Sequence, residues 1–272
     1  MSPDSPFYDG RGKTVLVAGG TSGINRGIAL AFAAAGANVY VFSRSAEKVS
    51  DTVAELASLG TQSAGTAADV RNAAEVSAAF DDCAAQFGPI DVVVSGAAGN
   101  FPARAEAISS NGFRAVLEID VLGTHHVMLA SYRHLRRPGV ILNITAAASH
   151  RPMVGQAHVC AAKAGVDQIT RTLALDWGPE GIRINSVLPG PIEDTEGFRR
   201  LAPTPQIKAE RLSTVPLRRA ATRAEVADTC LFLASDRARY ITGAVIPVDG
   251  GASLSVPADL LASAIAKPPA DR

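Results

Sequence analysis

The chain has 272 residues, 47% of them hydrophobic and 19% charged, a balance that excludes a disordered chain and supports one large packed domain. Its 26 basic residues equal its 26 acidic ones, so no whole-molecule field draws it to nucleic acid or to an anionic membrane, and a neutral surface favours self-association.

In chain order, residues 1–10 read as an N-terminal extension. Thr14 to Ala18 is a near-continuous apolar run, followed by glycine-rich sequence and by Ile24, Ile28 and Phe32 at four-residue intervals. This predicts a strand, a tight turn and a helix. Val39 to Phe42 predicts a second strand, and Val49, Val53 and Leu56 mark one face of a second helix. A third strand is expected to end near Ala68, Asp69 and Val70. Val76, Phe80, Cys83 and Phe87 form a helical stripe before a fourth strand at Ile90–Val94. A long helical stretch over 112–136, a strand at Val140–Ile144, a helix over 154–177 and a strand at Ile182–Leu188 come next. A less regular segment spans 193–216. A short helix over 223–234 and a last strand at Ala244–Val248 complete the pattern, and 256–272 reads as a tail. Apolar strands separated by helices imply parallel pairing with crossovers. The expected fold is α/β: a single doubly wound Rossmann-type domain over 11–255, with a mostly parallel seven-stranded sheet and helices on both faces.

Gly19-Gly20-Thr21-Ser22-Gly23-Ile24-Asn25-Arg26-Gly27 lies between the first strand and the first helix. Glycines there let the backbone approach a pyrophosphate, and the helix N-terminus offers free N–H groups; a glycine-rich turn without ligand is the bland alternative. At the end of the second strand, an acid would bind ribose hydroxyls and repel a 2′-phosphate. Ser43-Arg44 stands there instead, with no acid before Glu47. A hydroxyl and a guanidinium suit NADPH, unless Arg44 is only a solvated residue at a helix start. Cys83, Cys160 and Cys230 share no ligand spacing and read as reduced thiols, and no metal is expected. No basic start with an apolar run, membrane span or Ser-Lys-Leu type ending is seen, so the expected location is cytoplasmic.

Together these segments resemble the short-chain dehydrogenase/reductase family over nearly the whole chain. The matching pieces are the Gly19–Gly27 loop, Ala68-Asp69-Val70, Gly96-Ala97-Ala98-Gly99, Lys163 in Ala161-Ala162-Lys163-Ala164, Pro189-Gly190-Pro191-Ile192 and Val248-Asp249-Gly250-Gly251. The resemblance implies cofactor contacts at Gly19, Thr21, Ser22, Gly23, Ile24, Ser43, Arg44, Asp69, Val70, Ala97, Ala98, Gly99, Lys163, Pro189, Gly190 and Ile192. It also implies a segment at 193–216 that covers the substrate, and a homotetramer.

The departures are informative. Val159 stands where the family carries its catalytic Tyr, Ala146 where it carries Ser, Asp120 where it carries Asn, and Asn25 at the third loop glycine. Tyr8, Tyr40, Tyr132 and Tyr240 match none of these positions. The 2,4-dienoyl-CoA reductase branch, especially its peroxisomal type, lacks the same Tyr and Ser. Ala98-Gly99-Asn100-Phe101, Asn143-Ile144-Thr145-Ala146 and Thr195-Glu196-Gly197 resemble it further. That resemblance implies hydride transfer from NADPH to the δ carbon of a dienoyl-CoA and protonation at the α carbon. Lys163 and Asp120 are the expected catalytic residues, although Lys163 can serve only as a cofactor anchor and Asp120 as a structural carboxylate at a helix kink. Asn100, Phe101, His158, Arg199 and Arg200 are the expected substrate contacts, with Lys208 near them. Loop, core packing or solvated-face roles are their alternatives. His125 and His126 read as structural. Two further functions stay open: reduction of another enoyl or keto substrate, and a non-catalytic NADP-binding scaffold.

Overall fold

The computed structural model describes residues 8–254. Its strands are β1 (Thr14–Ala18), β2 (Asn38–Ser43), β3 (Ser63–Ala67), β4 (Ile90–Ser95), β5 (Leu135–Ile144), β6 (Ile182–Pro189) and β7 (Val245–Val248). They form one sheet in the order β3-β2-β1-β4-β5-β6-β7, and every neighbouring pair is parallel. β1 and β4 are buried along their whole length, because helices cover both faces of the sheet.

The helices that position the site are α1 (Gly23–Ala34), α2 (Ala46–Ala57), α3 (Ala73–Phe87), α4 (Ser110–Leu117), α5 (Gly123–His134), α6 (Ala157–Trp177), α7 (Glu196–Leu201), α8 (Pro205–Ser213) and α9 (Arg223–Ala234). Side chains alternate along each strand, so Val15 and Val17 join one core and Leu16 and Ala18 the other. The first core takes Ile28 and Phe32 of α1, Leu56 of α2, and Val226 and Leu231 of α9. The second takes Val76 and Phe80 of α3, Val127 and Met128 of α5, and Ala174 of α6. The stripe read from sequence at Val76, Phe80 and Cys83 is thus the buried face of α3. The three cysteines are free, and burial pushes the Cys83 and Cys230 thiols up to about 12.

The structure corrects several expected boundaries. The stretch expected as one helix over 112–136 is α4, a π-helical turn at Glu118–Leu122, then α5, and its last two residues belong to β5. β5 therefore starts at Leu135 rather than Val140: Arg136 and Arg137 are exposed strand residues that break the apolar pattern. β3 ends at Ala67, before Ala68-Asp69-Val70, and its sequence Ser-Ala-Gly-Thr-Ala carries no apolar stripe because it is the sheet's edge strand. The irregular 193–216 segment holds the two short helices α7 and α8, whose N-termini are capped by the hydroxyls of Thr195 and Thr204. Tyr8, in the expected extension, is buried edge-on against Phe32 at 5.2 Å between ring centroids. Residues 1–7 and the expected tail 256–272 lie outside the described residues.

Candidate active site

β1 pairs with β2 on one side and with β4 on the other. The chain leaving β1 and the chain leaving β4 therefore diverge, which opens a crevice at the C-terminal edge of the sheet. A cleft of about 900 Å³ lies there.

Its first half is built mainly from backbone. Gly19, with φ +73°, turns the chain out of β1, and a Cβ on it would come within 2.9 Å of the Ala97 Cα. Ser22, at the N-cap of α1, makes no side-chain capping bond, and the first turn of α1 holds no acid. The N–H groups at this helix end thus face the cleft with no competing carboxylate, which suits an anionic diphosphate. Thr21 Oγ1 donates to Ser43 Oγ at 2.8 Å and ties the loop to the end of β2. Arg44 is exposed on the cleft and makes no salt bridge among the described residues. Asp69 also lines the cleft. The hydrogen-bonded Arg71 guanidinium holds its carboxyl below the usual range. Every residue expected to contact the cofactor, from Gly19 to Ile192, lies on this cleft, so the residues present fit a dinucleotide.

Asn25 adds a contact that sequence reading did not supply. Its Nδ2 donates to the Gly96 carbonyl at 2.7 Å, and its buried Oδ1 has no hydrogen-bond partner among the described residues. Any Cβ on Gly96 would overlap the Asn25 side chain. The loop after β1 and the loop after β4 are therefore fastened to each other directly beneath the cleft.

The same β4 loop leads to the buried ion pair. Gly99 N–H donates to Asp120 Oδ1 at 2.7 Å, and Asp120 Oδ2 lies 3.1 Å from Lys163 Nζ. Lys163 Nζ also donates to the Ile144 carbonyl at 3.2 Å. Asp120 sits in the π-helical turn, whose extra residue per turn rotates the carboxylate inward. Gly99 packs closely here: a Cβ would come within 2.9 Å of Ile119 Cδ1 and displace that side chain. Lys163 lines the cleft, whereas Asp120 is fully buried and does not. Asp120 therefore reaches the cleft through Lys163 and the Gly99 backbone, paired with the lysine beside which the sequence placed it.

The second half of the cleft departs further from expectation. Asn100 lines it, but Phe101, His158, Arg199 and Arg200 do not. His158 is fully buried under Phe101, with ring centroids 4.3 Å apart, and neither of its ring nitrogens has a hydrogen-bond partner among the described residues. Helix periodicity turns His158 toward α4 and leaves Val159 on the cleft, an isopropyl group where the family carries a phenol, as the sequence indicates. Arg199 and Arg200 both pair with Glu196, at 3.1 and 2.9 Å, on the exposed side of α7. Lys208 lies 4.0 Å from Glu193 and over the Phe198 ring. The cations that do line this half are Arg151, whose Nη1 donates to the Ala252 carbonyl at 2.6 Å, and Arg211. Met153, Phe198 and Leu201 supply apolar wall. No motif marks these residues, because loop conformation rather than strand register places them. His126, expected to be structural, meets the Val70 carbonyl through Nδ1 at 2.8 Å.

Comparison with known proteins bears on this site. Residues 18–253 match a family model described as enoyl-(acyl carrier protein) reductase. A peroxisomal 2,4-dienoyl-CoA reductase, (3E)-enoyl-CoA-producing, of Rattus norvegicus is 43% identical over 252 residues, covering 91% of this chain and 86% of that protein. A probable 2,4-dienoyl-CoA reductase, (2E)-enoyl-CoA-producing, of Bacillus subtilis is 39% identical over 243 residues, covering 88% and 96%. The crystal structure of a short chain dehydrogenase from Bacillus anthracis superposes with a TM-score of 0.82 at 34% identity, over 90% of this chain and 99% of that one.

Proposed function

This chain belongs to the short-chain dehydrogenase/reductase family of nicotinamide-dependent oxidoreductases, and from that premise we propose that it reduces a 2,4-dienoyl-CoA to a 3-enoyl-CoA with NADPH. The observation that carries this reading is the chemistry left on the cleft. None of Tyr8, Tyr40, Tyr132 and Tyr240 lines it, Val159 and Ala146 do, and a buried Lys163–Asp120 pair lies at its wall. A site without a phenol is poorly equipped to protonate a ketone oxygen. It can still stabilise a delocalised enolate with a fixed cation and admit water for protonation at carbon. Both relatives are named for a 2,4-dienoyl-CoA substrate, and the name of the Rattus norvegicus one carries the 3-enoyl product while that of the Bacillus subtilis one carries a 2-enoyl product.

The overall change is RCH=CH–CH=CH–CO–SCoA + NADPH + H⁺ → RCH₂–CH=CH–CH₂–CO–SCoA + NADP⁺. When bound, the nicotinamide supplies two electrons and a hydrogen to the δ carbon. The protein's residues do the rest. The N-terminus of α1 and Thr21 hold the diphosphate, and Ser43 and Arg44 hold the 2′-phosphate that distinguishes NADPH from NADH. Lys163 orients the nicotinamide ribose, and its ammonium supplies positive potential as charge moves onto the thioester oxygen. Asp120 is a positioning residue: it holds the Lys163 ammonium in place and fixes the loop through Gly99. The proton for the α carbon comes from cleft water oriented by the Lys163 ammonium. Asn100, Met153, Phe198 and Leu201 flank the acyl group. Phe101 packs on His158 off the cleft. An acyl-CoA phosphate meets Arg199 or Arg200 only by exchange with Glu196.

Assembly and location complete the proposal. Leu122 at the end of the π-helical turn, Leu129 on α5 and Leu175 on α6 are exposed, and we assign a homotetramer to these faces, testable by light scattering. No helix among the described residues is long and apolar enough to cross a membrane. Several relatives are named peroxisomal and the bacterial one is not; we assign this chain to the cytoplasm, testable by fractionation. The activity is tested by NADPH oxidation with 2,4-hexadienoyl-CoA beside crotonyl-CoA and acetoacetyl-CoA. Turnover of the dienoyl thioester alone is expected. Turnover of acetoacetyl-CoA alone would assign a keto substrate, and NADPH binding without any turnover would assign a scaffold.

A further inference from the structure

The segment from Glu193 to Arg219 is rich in arginine and lysine, and nearly all of its cations are taken. Arg199 and Arg200 pair with Glu196, Lys208 approaches Glu193, Arg218 donates to the Ser213 carbonyl, and Arg219 pairs with Glu225. Arg211 is the exception. It lies in the last turn of α8, is half-buried, and lines the cleft beside Thr214 and Val215. Among the described residues its guanidinium has neither a hydrogen-bond nor an ion-pair partner, and burial alone pushes its pKa down. Glu210, its chain neighbour, also lines the cleft but is exposed and forms no ion pair with it.

A guanidinium does not surrender its proton, so half-burying one without a partner costs free energy that an anion in the cleft offsets. Two diphosphates meet at this site if the substrate is an acyl-CoA. That of the cofactor is already provided for by the uncapped N-terminus of α1, which follows β1, whereas Arg211 belongs to the segment that follows β6. The substrate's has no such receptor among the cations expected from sequence, because Arg199 and Arg200 are occupied.

We propose that Arg211 is a receptor for an organic diphosphate, and that this diphosphate belongs to the nucleotide end of the acyl-CoA rather than to the cofactor. The assignment to CoA rests on the acyl-CoA reading above. It makes Arg211 a specificity residue: the enzyme recognises its substrate at the handle as well as at the diene, and the planar fork of Arg favours paired phosphate oxygens over a single charge.

The test uses the full chain with R211Q and R211K. Three readouts are needed: calorimetric binding of coenzyme A, fluorescence titration with NADPH, and kinetics on 2,4-hexadienoyl-CoA and on its N-acetylcysteamine thioester, which lacks the nucleotide. R211Q is expected to weaken coenzyme A binding and raise KM for the CoA thioester about tenfold, with kcat little changed and R211K in between. NADPH affinity and kcat/KM on the truncated thioester stay at the unsubstituted protein's values. A loss confined to NADPH would overturn the assignment to acyl-CoA, and unchanged binding of both would overturn the receptor itself. Because the coenzyme A titration needs no turnover, failure of the dienoyl reading leaves Arg211 separately testable.

Discussion

The two halves of the cleft are built on different principles. The cofactor half is made of strand ends and backbone. Ser22 and Gly23 present N–H groups at the start of α1, Gly19 N–H is bonded to the Phe42 carbonyl, Thr21 is bonded to Ser43, and Asn25 is bonded to Gly96. The substrate half is made of two short helices and a loop, where most charges neutralise each other on the exposed side and Arg211 is left facing inward. The Lys163–Asp120 pair sits where the halves meet, braced by Gly99 from one and by Ile144 at the end of β5. The first half is thus preorganised for a fixed ligand, and the second is shaped by side chains that can vary with the substrate.

The most damaging way to break this division is at the junction. Lys163→Met removes the one cation at the meeting point and leaves Asp120 buried without a counter-charge. We expect kcat to fall by about 10²–10³ and the melting temperature to drop, read by steady-state kinetics and calorimetry. Asp120→Asn keeps an oxygen for Gly99 N–H but removes the charge beside Lys163. It should lower kcat about ten- to a hundredfold with KM for the acyl-CoA nearly unchanged, and shift the pH profile of kcat, which a purely structural carboxylate would not move. Arg44→Ala sharpens the comparison from the cofactor side. NADPH affinity should fall about tenfold or more while NADH affinity holds, measured by fluorescence titration. Asn25→Gly restores the residue common at the third loop glycine and unfastens the two loops. A weakening of NADPH binding by about fivefold, with the acyl-CoA KM intact, is expected.

The smallest effect lies outside both halves. Glu225 caps α9 with Thr222 and is held at about 2 by its hydrogen bonds to Arg219 and then to the Thr222 backbone. A carboxylate depressed in the folded state stabilises it above the unfolded pKa, about 4.3, and that contribution is lost as pH falls toward 2. Glu225→Gln should therefore melt slightly lower at pH 7, and the gap should close between about pH 4.3 and 2.

This contrast also explains what was legible in the sequence. Near-continuous apolar runs at Thr14–Ala18 and Ile90–Val94, and the apolar-rich stretch at Ile182–Pro189, announce strands buried on both faces, and the loops that follow them carry the cofactor half with them. Strand register does not extend into α7 and α8, so charge was readable there but direction was not. Arg199, Arg200 and Arg211 look alike as letters, and only the turn of each helix and the position of Glu196 decide which one faces the cleft. His158 fails for a related reason, since one residue along α6 is about 100° of rotation and separates a cleft-facing Val159 from a buried ring. The π-helical turn at Glu118–Leu122 has no periodic signature, and it is what carries Asp120 inward behind the cleft wall.

The central claim is where hydrogen is added. The most direct measurement is NMR of the product formed from 2,4-hexadienoyl-CoA and deuterium-labelled NADPH in ordinary water, and then with unlabelled NADPH in heavy water. The account predicts a 3-enoyl product with the cofactor's deuterium at the δ carbon and the solvent's at the α carbon. A 2-enoyl product, with solvent deuterium at the γ carbon, would contradict it and would require a proton donor placed elsewhere on the cleft than beside Lys163.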